Sequence, residues 1–263
     1  MNDTEDQRAA WNGHSGKVWV ESQELLDRVL QPFEDALFEA ELGRRVLDVG
    51  CGTGSATIRA GRESVAVGID ISAPMLARAR ERAEAANVPA VFIEADATTY
   101  ELDAFDTVIS RFGVMFFEDP VRAFRNLRRT GGALRAVAWR SPAENEFMTT
   151  AERAVAALLP ALPPRRPNAP GQFAFGSRDR VIDILRASEW RDLDVALLDV
   201  TCSMPASALI PYATRLGPVG RVFEESDAAT RALVTEKLEA AFSRFVAGDE
   251  VRFPAAGWLI TAR

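Results

Sequence analysis

Apolar residues follow two alternating patterns along the first 140 residues. Segments typical of amphipathic helices lie at 20–38, 55–62, 73–86 and 118–129. Short apolar runs typical of buried strands lie at 45–49, 64–70, 91–94, 105–110 and 134–139. Strands that alternate with helices form right-handed crossovers and therefore a parallel sheet. The order predicts an α/β fold with a doubly wound, mostly parallel sheet.

The pattern changes after residue 140. Helical segments are predicted at 145–159 and 178–187, and the proline-rich stretch 160–170 reads as an irregular surface loop. Strand-like runs at 193–201 and 251–261 would bring the sheet to seven strands. We expect three parts, namely an N-terminal helical segment (1–40), a core (41–140) and a remainder (141–263). The remainder would carry a helical cap inserted at about 141–177 and 203–248.

Composition excludes several classes of protein. The net charge of −7 makes a phosphate-backbone partner a poor candidate, so no nucleic acid is expected. No apolar run approaches the ~20 residues of a membrane span. The polar, acidic start lacks the features of a secretory signal and favours a cytoplasmic protein. With two cysteines, Cys51 and Cys202, and one histidine, we expect no metal site.

The sharpest motif is a glycine-rich turn directly after the first predicted strand. Glycines stand at 50, 52 and 54, where they permit positive φ and let a ligand approach the main chain. The following helix presents free N–H groups that can hold a carboxylate or a phosphate. The dinucleotide spacing G-x-G-x-x-G fails, because Ser55 and Thr57 stand where it requires glycine.

Two acidic residues follow the next strands. Asp70 ends the second strand about twenty residues beyond the glycines, where a carboxylate can accept both ribose hydroxyls. NAD enzymes use the same arrangement, so Asp70 indicates only that the ligand contains adenosine. The alternative role of Asp70 is to cap the following helix, although Ser72 is better placed for that role. Asp96 follows the third strand and either accepts the adenine amino group or is a plain loop acid.

These features together resemble the ordered motifs of the class I SAM-dependent methyltransferases. The resemblance rests on 46–54, Asp70, Asp96, the strand 105–110 and the pair at 131–132. The stretch 110–117 and the start from Trp11 to Trp19 are similar to a bacterial small-molecule subgroup related to the ubiquinone/menaquinone C-methyltransferases. The resemblance covers about residues 8–140 well and makes 41–140 the SAM-binding core. Proline, common in the family before the glycines at 131–132, is missing here.

The resemblance implies a role for each matching position. Those positions are Gly50, Cys51, Gly52 and Gly54 in the turn under the methionine part of SAM, with Asp48 supporting it; Asp70 at the ribose; Ile71 and Met75 flanking the adenine; Asp96 and Ala97 at the adenine edge; Ser110 and Arg111 beside the methionine part and the transferred methyl; and Trp11 and Trp19 closing the pocket from the N-terminal side.

The predicted activity is methyl transfer from SAM to a small, partly apolar molecule, with release of S-adenosylhomocysteine. His14, the only histidine, could take a proton from a hydroxyl nucleophile; the alternative is an exposed loop histidine. Two alternative functions are a SAM-binding protein without catalysis and, less favoured, an NAD-dependent oxidoreductase. The sequence does not decide whether the chain forms a homodimer. Candidate cap residues lining the acceptor site are Phe147, Met148, Phe173, Phe175, Met204, Tyr212 and Phe223.

Overall fold

A twisted sheet between two layers of helices organises the chain, in a computed structural model that describes residues 3–263. Residues 1–2 of the predicted N-terminal segment lie outside this range. The strands are β1 (Arg45–Val49), β2 (Val65–Asp70), β3 (Val91–Glu94), β4 (Thr107–Arg111), β5 (Ala133–Trp139), β6 (Asp194–Pro205), β7 (Val246–Ala247) and β8 (Glu250–Ala262). Their order is β3-β2-β1-β4-β5-β8-β6, with β7 paired to β8 off this path.

Helices fill the connections between these strands. They are α1 (Asp3–Asn12), α2 (His14–Glu21), α3 (Gln23–Leu37), α4 (Ser55–Ala60), α5 (Ala73–Ala85), α6 (Pro120–Arg128), α7 (Glu146–Val155), α8 (Arg178–Ala187), α9 (Leu209–Arg215), α10 (Gly217–Glu224) and α11 (Ala228–Phe242). Short 3-10 turns occur at Val114–Phe116, Ala206–Ala208 and Ser243–Phe245.

The pairing confirms the predicted α/β class and mostly parallel sheet. The strands β3, β2, β1, β4 and β5 pair in parallel, whereas β8 runs antiparallel between β5 and β6. The strand order reverses between β1 and β4, and the loops after these two strands leave in opposite directions. A crevice therefore opens at their carboxyl ends, which is where open α/β sheets bind ligands.

Several boundaries differ from the sequence prediction. The predicted helix 20–38 corresponds to α3, whereas residues 20–21 belong to α2 and Ser22 separates the two helices. The strand β6 continues to Pro205, so the second predicted insertion at 203 begins inside a strand. The two-residue strand β7 was not predicted; it pairs with the start of β8 across a turn in which Gly248 has a φ of +62°.

The central strands are buried on both faces of the sheet, and their sequences are therefore continuous apolar runs. In β1 every residue after Arg45 is buried. On one face α3 inserts Phe33, which is fully buried and contacts Phe112 and Trp139 edge to face at 5.0 and 4.9 Å. A Cβ at Gly257 of β8 would lie 2.7 Å from the Phe33 ring, so glycine is required for this close approach.

The helices α7, α9, α10 and α11 pack on one another beside β8. Phe147 of α7 joins this cluster to the sheet, stacking on Phe253 of β8 with ring centroids 3.6 Å apart and contacting Phe242 of α11 edge to face at 5.0 Å. These helices occupy the predicted second insertion and the helical part of the first.

Candidate ligand-binding site

A cavity of 1370 Å³ opens at the carboxyl ends of β1, β2 and β4. Its walls come from the loops after these strands, from α1 and α2, and from the helical cluster after β5. Single ligands occupy sites of about 300–1,000 Å³. The volume therefore suits two ligands better than one.

Most of the residues that the resemblance assigned to the cofactor line this cavity. They are Trp11, Trp19, Asp48, Gly50, Cys51, Gly52, Asp70, Ile71, Met75, Asp96, Ala97 and Arg111. Gly54 and Ser110 do not line it. Gly54 directly precedes α4, and a Cβ at this position would lie 2.8 Å from Ala79 and 3.0 Å from the Phe92 ring. The Ser110 hydroxyl is buried, donates to Val49 O at 2.7 Å and accepts from Gly113 N at 3.2 Å, so it braces the turn from behind.

The glycine turn has the conformation that its sequence predicts. Gly50, Gly52 and Gly54 have φ of +66°, +55° and +84°, which favour glycine. A Cβ at Gly50 would lie 2.7 Å from the Cα of Gly113, and one at Gly52 would lie 2.8 Å from the Met75 methyl. Because these glycines have no side chains, the turn fits between α5 on one side and the loop that follows β4 on the other. Its main chain therefore lies at the cavity wall.

Asp70 holds the turn in place from the neighbouring strand. Its Oδ2 accepts from Gly52 N at 2.8 Å and its Oδ1 accepts from Ser72 N at 2.9 Å. Burial raises the pKa of Asp70, and these N–H donors oppose the rise. Each carboxylate oxygen keeps a free lone pair. The side chain lines the cavity, so it can accept further hydrogen bonds from a ligand.

Asn12, which the sequence reasoning did not select, provides the cap of α5. Its Oδ1 accepts from Ala73 N at 2.9 Å and its Nδ2 donates to Ile71 O at 2.8 Å. The Ser72 hydroxyl makes no cap bond and instead donates to Trp11 O at 2.6 Å. The expectation that Ser72 caps this helix is therefore wrong. These bonds fasten α1 over the carboxyl end of β2.

Asp48 is a buried carboxyl at the base of the turn. Its Oδ2 accepts from Thr57 Oγ1 at 2.6 Å, whereas Oδ1 has no partner among the described residues. Burial raises the pKa of Asp48 to about 7, with Thr57 and Arg111 opposing the rise. A buried oxygen without a donor carries a free-energy cost that a cationic or N–H-bearing ligand would remove.

Asp96 forms the hydrogen bonds of a loop acid and also lies at the cavity wall. Its Oδ1 accepts from Thr98 N at 2.8 Å, and its main-chain oxygen accepts from the amides of Thr99 and Tyr100, as a turn-forming loop acid does. The same residue lies with Ala97 on the cavity wall. The turn therefore holds the carboxyl at a fixed place beside the cavity.

An ion-pair network behind the turn was not found by sequence reasoning. Arg111 at the end of β4 pairs with Glu34 at 2.9 Å and with Asp27 at 3.3 Å, both on α3. Arg82 of α5 pairs with Asp27 at 2.6 Å and donates to Thr53 O in the turn at 2.6 Å. The partners are far apart in the chain, so no local spacing indicates them.

The N-terminal aromatic residues close one side of the cavity. Trp11 contacts Trp19 and Phe116 edge to face, at 5.8 and 5.1 Å between ring centroids. His14 starts α2 rather than lying in a loop, and its Nδ1 is 3.3 Å from Glu224 of α10. Its side chain is 40% exposed and lines the cavity at the rim.

The far side of the cavity is mostly apolar. Phe112, held at a φ of +63°, stacks on Trp139 at 4.3 Å, and both line the cavity. Of the candidate acceptor-site residues, four line it: Phe147, Met148, Phe173 and Tyr212. The other three, Phe175, Met204 and Phe223, do not.

Two negative findings concern the described part of the chain. Among the side chains that the structure describes, those of residues 7–263, we find no cluster of His, Cys, Asp and Glu suited to a metal ion. Over the same residues no helix combines the length and apolar character that crossing a membrane requires.

Comparison with known proteins identifies the domain. Residues 46–131 match a protein family described as "Methyltransferase domain". The chain is 35% identical over 117 residues to a malonyl-[acyl-carrier protein] O-methyltransferase of Halorhodospira halophila, covering 43% of this chain and 39% of that protein. It is 37% identical over 113 residues to a demethylmenaquinone methyltransferase of Thermus thermophilus, covering 40% and 51%. The matches thus span about half or less of these curated relatives.

Solved structures give the same answer for the fold. A magnesium protoporphyrin IX methyltransferase of Synechocystis, solved with bound SAH, superposes with a TM-score of 0.55 at 16% identity, covering 77% of this chain and 94% of that one. At this identity the likeness concerns the fold alone. Residues 46–131 of this chain therefore match a methyltransferase domain, and the chain has the fold of that solved methyltransferase.

Proposed function

We propose that this protein transfers a methyl group from S-adenosylmethionine to a small, partly apolar molecule and releases S-adenosylhomocysteine. The observation that carries the proposal is the continuity of one cavity from the glycine turn and Asp70 to the aromatic wall of the helical cluster. The net charge of −7 also favours a small-molecule acceptor over a nucleic acid.

The residues present fit an adenosyl-sulfonium ligand. Gly50 and Gly52 leave the main chain of the turn free of side chains at the cavity wall, and the Asp48 carboxyl with its unpartnered Oδ1 lies at the base of this turn. Asp70 at the tip of β2 retains acceptor capacity for two ribose hydroxyls, and Asp96 lies one strand further along the same edge. A pyrophosphate-bridged nucleotide fits less well, because the Asp48 carboxyl would repel its charge.

When bound, S-adenosylmethionine supplies a methyl group activated on a positively charged sulfur. Asp48 and the turn would hold the methionine end, and Asp70 would fix the ribose. Alignment of the acceptor with the methyl group then depends on the walls of the cavity, since orientation is the main contribution a protein makes to an in-line displacement. We propose that α7, α9, α10 and α11 act as the cap that excludes water.

For a hydroxyl nucleophile we propose His14 as the base. It lines the cavity, and the nearby Glu224 carboxylate can orient its ring through Nδ1. His14→Ala should lower the rate constant of methyl transfer to a hydroxyl acceptor and leave the affinity for S-adenosylhomocysteine unchanged. An unchanged rate constant would remove His14 from the mechanism. An amine or carbon nucleophile needs no such group.

The cofactor assignment is tested by calorimetry with S-adenosylhomocysteine. Asp70→Asn should weaken its binding by about 10- to 100-fold, the effect of losing charge-assisted hydrogen bonds. The matched control is Asp106→Asn. Asp106 also accepts two main-chain N–H bonds, from Arg44 at 2.7 Å and Arg45 at 2.9 Å, at the amino end of the sheet and away from the cavity.

The control should leave the affinity unchanged. Equal affinities for wild type and Asp70→Asn would remove the ribose contact from the proposal. Binding without turnover in a screen of methyl acceptors would instead favour the alternative of a non-catalytic SAM-binding protein. Preferential binding of NAD would favour an oxidoreductase.

A further inference from the structure

The end of the cavity away from the glycine turn contains an underused hydrogen-bond donor. This inference rests on the proposed function and concerns the acceptor that the same cavity would bind. The wall is formed by apolar and aromatic side chains of the helical cluster, of the loop before α8 and of β5, namely Phe147, Met148, Val219, Phe173 and Trp139. Tyr212 of α9 lies among them.

The hydroxyl of Tyr212 has a poor partner. It donates to the Met148 sulfur at 3.4 Å, and the hydrogen bonds of the described residues give it no nitrogen or oxygen. A thioether sulfur is a weak acceptor, whereas a half-buried phenol normally finds a strong one. The tyrosine ring contacts Phe147 at 6.0 Å between centroids, which fixes its direction from α9.

Three other polar side chains of the cavity, those of Ser141, Glu152 and Ser177, are already engaged. The Ser141 hydroxyl donates to Glu144 at 2.7 Å, and Glu152 forms a two-pronged pair with Arg165 at 2.6 and 2.9 Å. Ser177 caps α8 by accepting from Arg180 N. Tyr212 differs from these groups because its hydrogen atom is available to a ligand at almost no cost to the protein.

We propose that Tyr212 determines acceptor specificity by donating a hydrogen bond to an oxygen of a small aromatic ketone or phenol bound against the aromatic wall. The flat rings of Trp139, Phe147 and Phe173 supply the apolar contact for such a ring system. A purely hydrocarbon ligand would leave the hydroxyl with sulfur alone.

The protonation state supports a donor role. Burial raises the pKa of Tyr212 well above its usual range, with Cys202 as a secondary cause. The hydroxyl therefore keeps its proton at all ordinary assay pH values. It acts in recognition and does not remove a proton from the acceptor, so the preference described below should not change between pH 6 and pH 9.

The test compares two probes of nearly equal shape on protein saturated with S-adenosylhomocysteine. These are 1-tetralone, whose carbonyl only accepts hydrogen bonds, and tetralin, which lacks the oxygen. By calorimetry, wild type should bind 1-tetralone about tenfold more tightly than tetralin, the size of one net hydrogen bond. Tyr212→Phe should reduce this ratio to about one, because it keeps the ring and removes the donor.

Met148→Leu is the matched control, since it removes the present partner of the hydroxyl and should leave the ratio at least as large. An equal ratio in wild type and Tyr212→Phe overturns the inference, as does failure of wild type to bind either probe at millimolar concentration. The affinity for S-adenosylhomocysteine should be unchanged in Tyr212→Phe. Failure of wild type to bind S-adenosylhomocysteine would count against the proposed function. The Tyr212 inference would still be tested in that case, because both probes can also be titrated onto the protein without S-adenosylhomocysteine.

A second measurement needs no variant at position 212. The chain has two tyrosines, Tyr100 and Tyr212, so Tyr100→Phe leaves Tyr212 as the only tyrosine. With tyrosine labelled with ¹³C at the ring carbon that bears oxygen, its single NMR signal should shift with 1-tetralone and much less with tetralin. Equal shifts with both probes would contradict a hydrogen bond to the carbonyl.

Discussion

At the scale of single residues, the most informative group is a carboxyl whose environment is incomplete. Asp48 is buried, keeps one oxygen without a partner and has its pKa raised to about 7 by burial. A group whose folded pKa lies above its unfolded value of 3.8 contributes stability at low pH that is lost as the pH rises through 7. A cation beside Asp48 would lower the pKa of this carboxyl, since it favours the charged form.

Binding of S-adenosylmethionine should therefore be linked to release of a proton from Asp48. We expect affinity to be about tenfold lower at pH 6 than at pH 8, because the carboxyl must lose its proton to meet the positive ligand. Calorimetry in two buffers of different ionisation enthalpy measures the released proton near pH 7. Asp48→Asn should remove most of this dependence; a variant with the same pH dependence as wild type would assign the proton to another group.

At the scale of elements, the ion-pair network joins α3 to the end of β4 and to α5. Its members are largely buried, with 4% side-chain exposure for Glu34 and 12% for Arg111. Breaking a buried pair is costly, because the remaining charge stays away from water. The network also holds the Thr53 carbonyl, so it couples helix packing to the shape of the glycine turn.

Arg111→Met should lower the free energy of unfolding by about 3 kcal/mol, because it removes the nearest cation of the buried Glu34 and one of the two arginines that pair with Asp27. Combined with Glu34→Gln, the loss should be less than the sum of the single changes by at least about 1 kcal/mol. Urea denaturation measures both. Arg252→Met removes an exposed pair with Glu250 at 2.6 Å and should have far less effect. Additive losses would show that Arg111 and Glu34 do not act as a unit.

At the scale of the whole molecule, the strand order decides where a ligand can bind. The reversal between β1 and β4 opens the crevice, α1 and α2 cover it from one side, and the helices after β5 cover it from the other. The proposed cofactor would touch the turn and α1, which are distant in sequence. Binding should therefore stabilise the entire fold rather than one loop.

S-adenosylhomocysteine at a hundred times its dissociation constant should add about 2.7 kcal/mol to the free energy of unfolding. For a chain of 263 residues this corresponds to a rise in Tm of about 5–10 °C. A thermal melt measures the shift, with NAD at the same concentration as the control. A comparable rise with NAD would contradict the proposed cofactor.

Local sequence patterns predicted many of the strands and helices of the fold. The strands β1, β2 and β3 and the helix α8 fall within one residue of the sequence prediction, because their apolar runs end at glycine, acidic or capping residues. Most of the assigned cofactor residues line one cavity. The break at Ser22, the full length of β6 and the capping role of Asn12 were missed, since each depends on partners that are remote in the chain.

Local sequence was enough to define the glycine turn and the acids at the ends of β2 and β3, because each follows from residue types at short spacing. These motifs also carry the resemblance to the class I SAM-dependent methyltransferases. Folding alone decided which charges meet, such as Arg111 with Glu34 across 77 positions, and which side chains of the late helices face the cavity. It also left Asp48 and Tyr212 with incomplete hydrogen bonding. Such properties arise from long-range packing, which sets burial and neighbours and which no short stretch of the chain encodes.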